Sequence, residues 1–294
     1  MQNGAEHDYA MERRLRDLDP ELHRRFTDAV FALQYNLSNY KLIFPEYTDH
    51  SNLHSMTVID FCNRLIGNQI GQLNADELYA LLMGCYFHDT GMGITMGDYR
   101  EFSAQIDFQD YFDTHSRDDL PEIIRSFHNE FSGFFIRKYA ELFEIPSEQH
   151  LWAIIQISRG HRKTDLMDES KYPRALRVLN GNTICLPYLA ALIRLADEID
   201  VAAARNPILL YDIETLTDAV EIIENKKVKA VRELLISQDE FVLRVDASDA
   251  EILGHIRKMA EKMQKTLDYC RAAVRRCPPY VITQQYVRME EING

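Results

Sequence analysis

Six side chains in this 294-residue chain have the types and settings that suit a metal cation: His54, the adjacent pair His88-Asp89, His128, His161 and Asp197. A histidine beside an aspartate offers a nitrogen and an oxygen donor. Both reach one ion only if a helix ends there and the backbone turns. Thr90-Gly91-Met92-Gly93 supplies the turn, because glycine accepts backbone angles that other residues resist. The other four continue or abut apolar stripes at helical spacing, so they are expected to point inward. A buried carboxylate is costly unless it is paired or metal-bound, and a buried imidazole also needs a partner. Gathering all of them around a cation meets both demands. Mixed nitrogen and oxygen donors suit divalent Mn, Fe, Ni, Zn or Mg, with one or two ions per chain. Taken singly, each histidine reads equally as a core or surface residue, and Asp197 as a cap or a partner of Arg194 or Arg205. The ordered set on successive helices singles them out.

The elements that must position these residues are helical. Glu21 to about Lys41 carries Phe26, Val30, Leu33 and Leu37 on one face, ahead of Pro45. The next helix runs from about His50 to Ile66, capped by Thr48 or Asp49, with His54 in line with Val58, Phe61 or Cys62, and Leu65. Asn74 caps a third, where Leu78, Leu81, Cys85 and His88 share a face. Residues 90–117 read as a loop with short helical turns, a candidate lid. Asp118 to Phe143 places Ile124, His128, Phe131 and Phe135 together, and Ser147 to Ser158 ends just before His161. Leu186 to Val201 aligns Leu186, Ala190, Ile193 and Asp197. Residues 1–19 read as a frayed or weakly helical lead-in and 163–182 as a loop. Past Asn206-Pro207, strands are expected at Val228–Ser237, Phe241–Val245 and Tyr280–Val287, with a long helix whose stripe is Ile252, Ile256, Met259, Met263, Leu267 and Cys270. The predicted fold is mostly α: an all-helical unit over residues 1–206, with its core at about 47–206, and a small C-terminal α+β extension over 207–294.

Composition narrows the function classes. Hydrophobic content of 46% and charged content of 27% are those of an ordinary globular protein, and 33 basic against 46 acidic residues leave −13. That balance argues against nucleic acid or an anionic membrane as partner, since both need a broad basic face. A local basic pocket remains compatible with it. The five cysteines form no CxxC pair, and no apolar run is long enough to span a bilayer, so a reducing, cytoplasmic setting is expected.

The order of these motifs resembles the HD phosphohydrolase superfamily. Its pattern of a histidine, a His-Asp pair and a distal aspartate is matched by His54 in DHSNLHSMTVIDF, His88-Asp89 in LLMGCYFHDTGMG and Asp197 in LIRLADEIDVAAARNP. The likeness spans about residues 47–206. It implies a metal-dependent hydrolase of phosphate esters or anhydrides, with His54, His88, Asp89 and Asp197 as metal ligands. His128 and His161 fall where members with two metals add histidines, and Asp89 would then bridge. Alternatively those two histidines act as general acid and phosphate contacts, so Asp89, His128 and His161 are the expected catalytic residues. The chain departs from the HD-GYP group, with Met92 where that group carries lysine. It also looks like HD modules that precede a histidine-kinase-type ATPase domain in larger bacterial proteins, including conflict and defence proteins. A downstream ATPase partner and a longer parent chain are therefore expected.

Phosphate needs cationic partners. Arg162, then Lys163 and Arg159, surround His161 and are expected to contact it, and His50 lies one helical turn before His54. The bland alternative is a solvated basic turn, with His50 a cap or surface residue. The expected substrate is a small phosphorylated molecule, by default a nucleotide. Tyr99, Phe102, Phe108, Tyr111 and Phe112 would either stack a base or pack on the core. The competing function is a non-catalytic sensor that binds metal and nucleotide and relays occupancy to a partner. A homo-oligomer, through the methionine-containing stripe at 252–270, is a further expectation.

Overall fold

Periodic apolar stripes become helices here wherever a cap and a stop bracket them. The computed structural model describes residues 9–46, 50–162, 164–202, 216–246 and 248–292. Helices α1 (Ala10–Leu18), α2 (Pro20–Ser38), α3 (Asn52–Ile66) and α4 (Ala75–Phe87) open the chain. Two short helices follow, α5 (Met96–Ser103) and α6 (Gln109–Phe112), then α7 (Leu120–Lys138), α8 (Glu148–Gly160) and α9 (Leu186–Glu198). Asn74 and Glu77 form a reciprocal capping box at the start of α4. Ser51 caps α3, while the expected caps Thr48 and Asp49 lie outside the described residues.

Helix α4 is the spine. Every residue from Asp76 to Phe87 is buried, and α1, α2, α3, α8 and α9 all pack against it. Helices α8 and α9 approach so closely that a Cβ on Gly160 would lie 2.6 Å from the Ala190 Cβ. A side chain there would push apart the helices that lead to His161 and Asp197.

From residue 10 the lead-in takes the helical of its two expected forms: α1 buries Met11 and Leu15 completely, a pair one helical turn apart amid charges. Three sequence expectations need correcting. The loop after α8 contains a two-stranded ribbon, β1 (Leu176–Arg177) against β2 (Thr183–Ile184). Val228 belongs to a helix, α10 (Ala219–Ala230), capped by the Asp218 side chain, and only then comes β3 (Val231–Ile236). The last strand, β5 (Tyr286–Ile292), starts six residues after the expected Tyr280. Between lie β4 (Glu240–Asp246) and the long helix α11 (Ala250–Val274). Strand β4 pairs antiparallel with β3 and parallel with β5. The stripe on α11 packs on α9 and β5, with Ile256, Met263, Leu267 and Cys270 essentially inaccessible. All five cysteines are free and buried. No described helix is long and apolar enough to cross a membrane.

Candidate metal centre

The fold turns five helices toward one point. His54 projects from α3, His88 and Asp89 from the end of α4, His128 from α7, His161 from the end of α8 and Asp197 from α9. His54, His88, Asp89, His128 and His161 are all buried, while the Asp197 side chain is 24% exposed at the lip. The donor atoms of His54, His88 and Asp89 lie within 4.8 Å of one another, as do those of Asp89, His128 and His161.

Hydrogen bonds at each ring fix which nitrogen carries the proton. His88 Nδ1 is 2.8 Å from the Cys85 carbonyl, and His128 Nδ1 is 2.7 Å from the Arg125 carbonyl. His161 Nδ1 meets the Ser158 carbonyl, and His54 Nδ1 lies 2.6 Å from Asp200 Oδ2. Carbonyls and carboxylates only accept, so each Nδ1 donates. Every Nε2 is left to face the centre, as the outer bonds of metal-bound histidines arrange. The Nε2 atoms form two pairs: His54 and His88 at 3.1 Å, His128 and His161 at 2.8 Å. Asp89 stands between them. Its Oδ2 is 3.5 Å from His54 Nε2 and 3.3 Å from His88 Nε2, and its Oδ1 is 3.4 Å from His128 Nε2 and 3.8 Å from His161 Nε2. Asp197 Oδ1 adds to the first pair, 3.3 Å from His54 Nε2.

The charges fit a cation as well. Burial works against the Asp89 charge, yet His88, His50 and His128 hold its carboxyl well below the usual range. Burial opposes a charge on His88 too, but Asp89 and Asp197 outweigh it and push the ring up to about 9. Burial, reinforced by Arg162, pushes His128 down to about 4, and burial with His128 and His88 lowers His161. The His128–His161 pair is therefore neutral at pH 7. Two neutral imidazoles with committed Nδ1 protons set lone pairs 2.8 Å apart, which is repulsive unless a cation lies between them. These buried groups could hold a metal ion.

Supporting residues lock the turn. Ser132 on α7 donates from Oγ to the His88 carbonyl at 2.7 Å and accepts from the Gly91 N–H at 2.8 Å. A Cβ on Gly91 would lie 2.1 Å from the His128 carbonyl oxygen, so only glycine lets the turn sit on α7. Sequence reasoning missed Ser132 and Asp200. Asp200 follows Asp197 by one helical turn, which is the signal that marks it; nothing in the sequence marks Ser132.

A model of the HD-CE family matches residues 44–279. The chain belongs to this HD-type family. No curated protein and no solved structure gives a match.

The HD-CE centre opens into a cleft of about 770 Å³. His50 lines it, its ring 5.6 Å from that of His54, and Arg162 lines it beside His161. Arg159 does not reach the cleft: it is ion-paired with Glu130 at 2.8 Å and lies over the Phe134 ring. Lys163 lies outside the described residues, as does Arg205. Arg194 is not a partner of Asp197; its guanidinium donates to the Gly160 and Thr164 carbonyls. The aromatic residues between α5 and α6 pack on α7, Phe108 and Tyr111 against Phe127 and Tyr99 against Phe131, and none of them lines the cleft. The cleft wall that the sequence did not reveal comes from α10 and α11, including Glu221, Glu224, Lys258, Lys262 and Lys265.

Proposed function

We propose that this HD-CE chain is a metal-dependent phosphohydrolase acting on a small phosphorylated substrate of the nucleotide class. The observation that carries the reading is the pairing of four committed imidazoles about the two oxygens of one carboxylate. Asp89 Oδ2, His54, His88 and Asp197 would hold one divalent ion, and Asp89 Oδ1, His128 and His161 a second, drawn from Mn, Fe, Ni, Zn or Mg. Such ions supply Lewis acidity, acidifying water and drawing charge from phosphoryl oxygens.

The chain's own residues do the rest. Asp200 holds the His54 ring through Nδ1, and Cys85, Arg125 and Ser158 hold the other three through their carbonyls. The Arg162 guanidinium, which makes no ion pair among the described residues, is placed to take a phosphoryl oxygen. His50 stands beside His54 to steer the substrate. Residues 207–294 act as an extension that walls the cleft of the 1–206 unit.

The test combines elemental analysis of purified protein with a nucleotide panel. Two ions per chain and phosphate or nucleoside release are expected, and Asp89→Ala should lose both while keeping its helical circular dichroism. Metal-saturated protein that binds nucleotides without turning over any of them would refute the hydrolase reading.

A further inference from the structure

The cleft's outer wall is a charge arrangement that the metal centre does not require. Helix α11 presents His255, Lys258, Lys262 and Lys265 to it. Their spacings of three, four and three residues put them on one helix face, and at about 1.5 Å per residue the lysines span roughly 10 Å. Lys262 joins this row to the centre through Glu198, 2.9 Å away and adjacent to Asp197. Lys258 and Lys265 are exposed and have no counter-ion among the described residues. Arg162 and Arg194 line the same cleft, the latter with its guanidinium bonded to the Gly160 and Thr164 carbonyls.

Beyond Asp89 and Asp197, the cleft is lined by seven cationic side chains and three carboxylates, in a chain whose net charge is −13. Two of those carboxylates are already neutralised, Glu198 by Lys262 and Glu224 by Lys227 at 2.6 Å. Burial, with Asp218 and Glu224, pushes the third, Glu221, up to about 7. Like charges held around one concavity repel each other, and low-dielectric walls focus their field on whatever anion enters. One phosphate would occupy the metal centre and leave this row unmatched.

We propose that the cleft takes a triphosphate-type ligand, one phosphate at the metal centre and the rest of the phosphoanhydride chain along Lys258, Lys262 and Lys265. The inference rests on the phosphohydrolase reading and deepens it by naming the substrate class. Nucleoside triphosphate and inorganic triphosphate share this chemistry.

The experiment is calorimetric titration of the whole chain with orthophosphate, diphosphate, inorganic triphosphate and a nucleoside triphosphate. Metal is chelated, so that only the protein's cations contribute. Triphosphate should bind about tenfold or more tightly than orthophosphate, and Lys258→Ala/Lys265→Ala should remove that advantage. Lys258→Arg/Lys265→Arg should keep it. A nucleoside form that binds more tightly than the inorganic one would assign the source to a nucleotide. Equal affinity for triphosphate and orthophosphate, or wild-type triphosphate affinity in the alanine variant, would overturn the proposal. Triphosphate binding without turnover in the nucleotide panel would sink the hydrolase reading and leave this subsite standing.

Discussion

Ser132→Ala tests whether the His-Asp turn is held by its neighbour helix. Ser132 is fully buried, and its hydroxyl serves two backbone groups of the turn at once, the His88 carbonyl and the Gly91 N–H. Alanine leaves both without that partner. Water cannot replace the hydroxyl, because the turn lies so close to α7 that a Cβ on Gly91 would sit 2.1 Å from the His128 carbonyl oxygen. Each buried group stranded in this way costs about 1–3 kcal/mol, so the loss should be about 2–5 kcal/mol. At this chain length that corresponds to a fall in Tm of roughly 3–8 °C. The turn also sets the positions of His88 and Asp89, so metal affinity should drop by about 10–100-fold. Differential scanning calorimetry and a metal titration read the two effects separately. A Tm within about 2 °C of wild type would show that the hydroxyl does not support the turn. A large Tm loss with wild-type metal affinity would show that the turn does not position the ligands.

Two further perturbations separate the centre from the scaffold. Asp200→Ala removes the acceptor that fixes His54 Nδ1 and should weaken metal binding by about 10–100-fold in a chelator competition, with little change in helical content. Far from the cleft, Asp76 accepts hydrogen bonds from His150, Asn180 and Asn182; burial works to raise its carboxyl, yet these partners hold it at about 2. Its folded value lies below the unfolded one, so its stabilisation is complete above about pH 4 and is lost as pH falls through about 2. Asp76→Asn should therefore melt below wild type at pH 7, and the gap should close between about pH 4 and pH 2.

The sequence exposed the inner faces of the helices well, because burial imposes a periodicity that side-chain type records. His54 and His88 stood in line with Val58 and Cys85, and both are buried where that alignment put them. Local propensity misled where tertiary contacts decide. Val228 and its β-branched neighbours suggested a strand, but the Asp218 cap and the run of Glu and Lys carry α10 through residue 230. The Tyr280–Thr283 stretch has strand character, yet Tyr280 is taken up by a stacked contact with Tyr188 and a hydrogen bond to Glu77. Pairing begins only where Tyr286 meets Glu240. Arg162 ranked ahead of Arg159 in one basic cluster, and the end of α8 separates them: Arg159, inside the helix, turns to Glu130, while Arg162, just past it, lines the cleft. Nothing in the sequence pointed to the lysines of α11, because sequence shows which side of a helix is polar but not what that side looks onto.

Five helices contribute the centre, and no two of its ligands except His88 and Asp89 are close in sequence. A site assembled this way has no counterpart in the unfolded chain, so any ion it binds stabilises the packed arrangement of α3, α4, α7, α8 and α9 by mass action. The bare arrangement carries a cost in turn: the facing lone pairs of His128 and His161 and the buried carboxylate of Asp89 oppose the same packing that the apolar core drives. Fold and metal are thus coupled through one set of atoms. Residues such as Ser132 and Asp200, which bond to His88 and His54 from outside the centre, hold the repelling groups together before a cation arrives. The extension meets that coupling through α11, which packs on α9 and whose Lys262 pairs with Glu198, next to Asp197. Lys258 and Lys265 make no such ion pair among the described residues, so substitutions there change what the cleft binds without changing whether the centre forms.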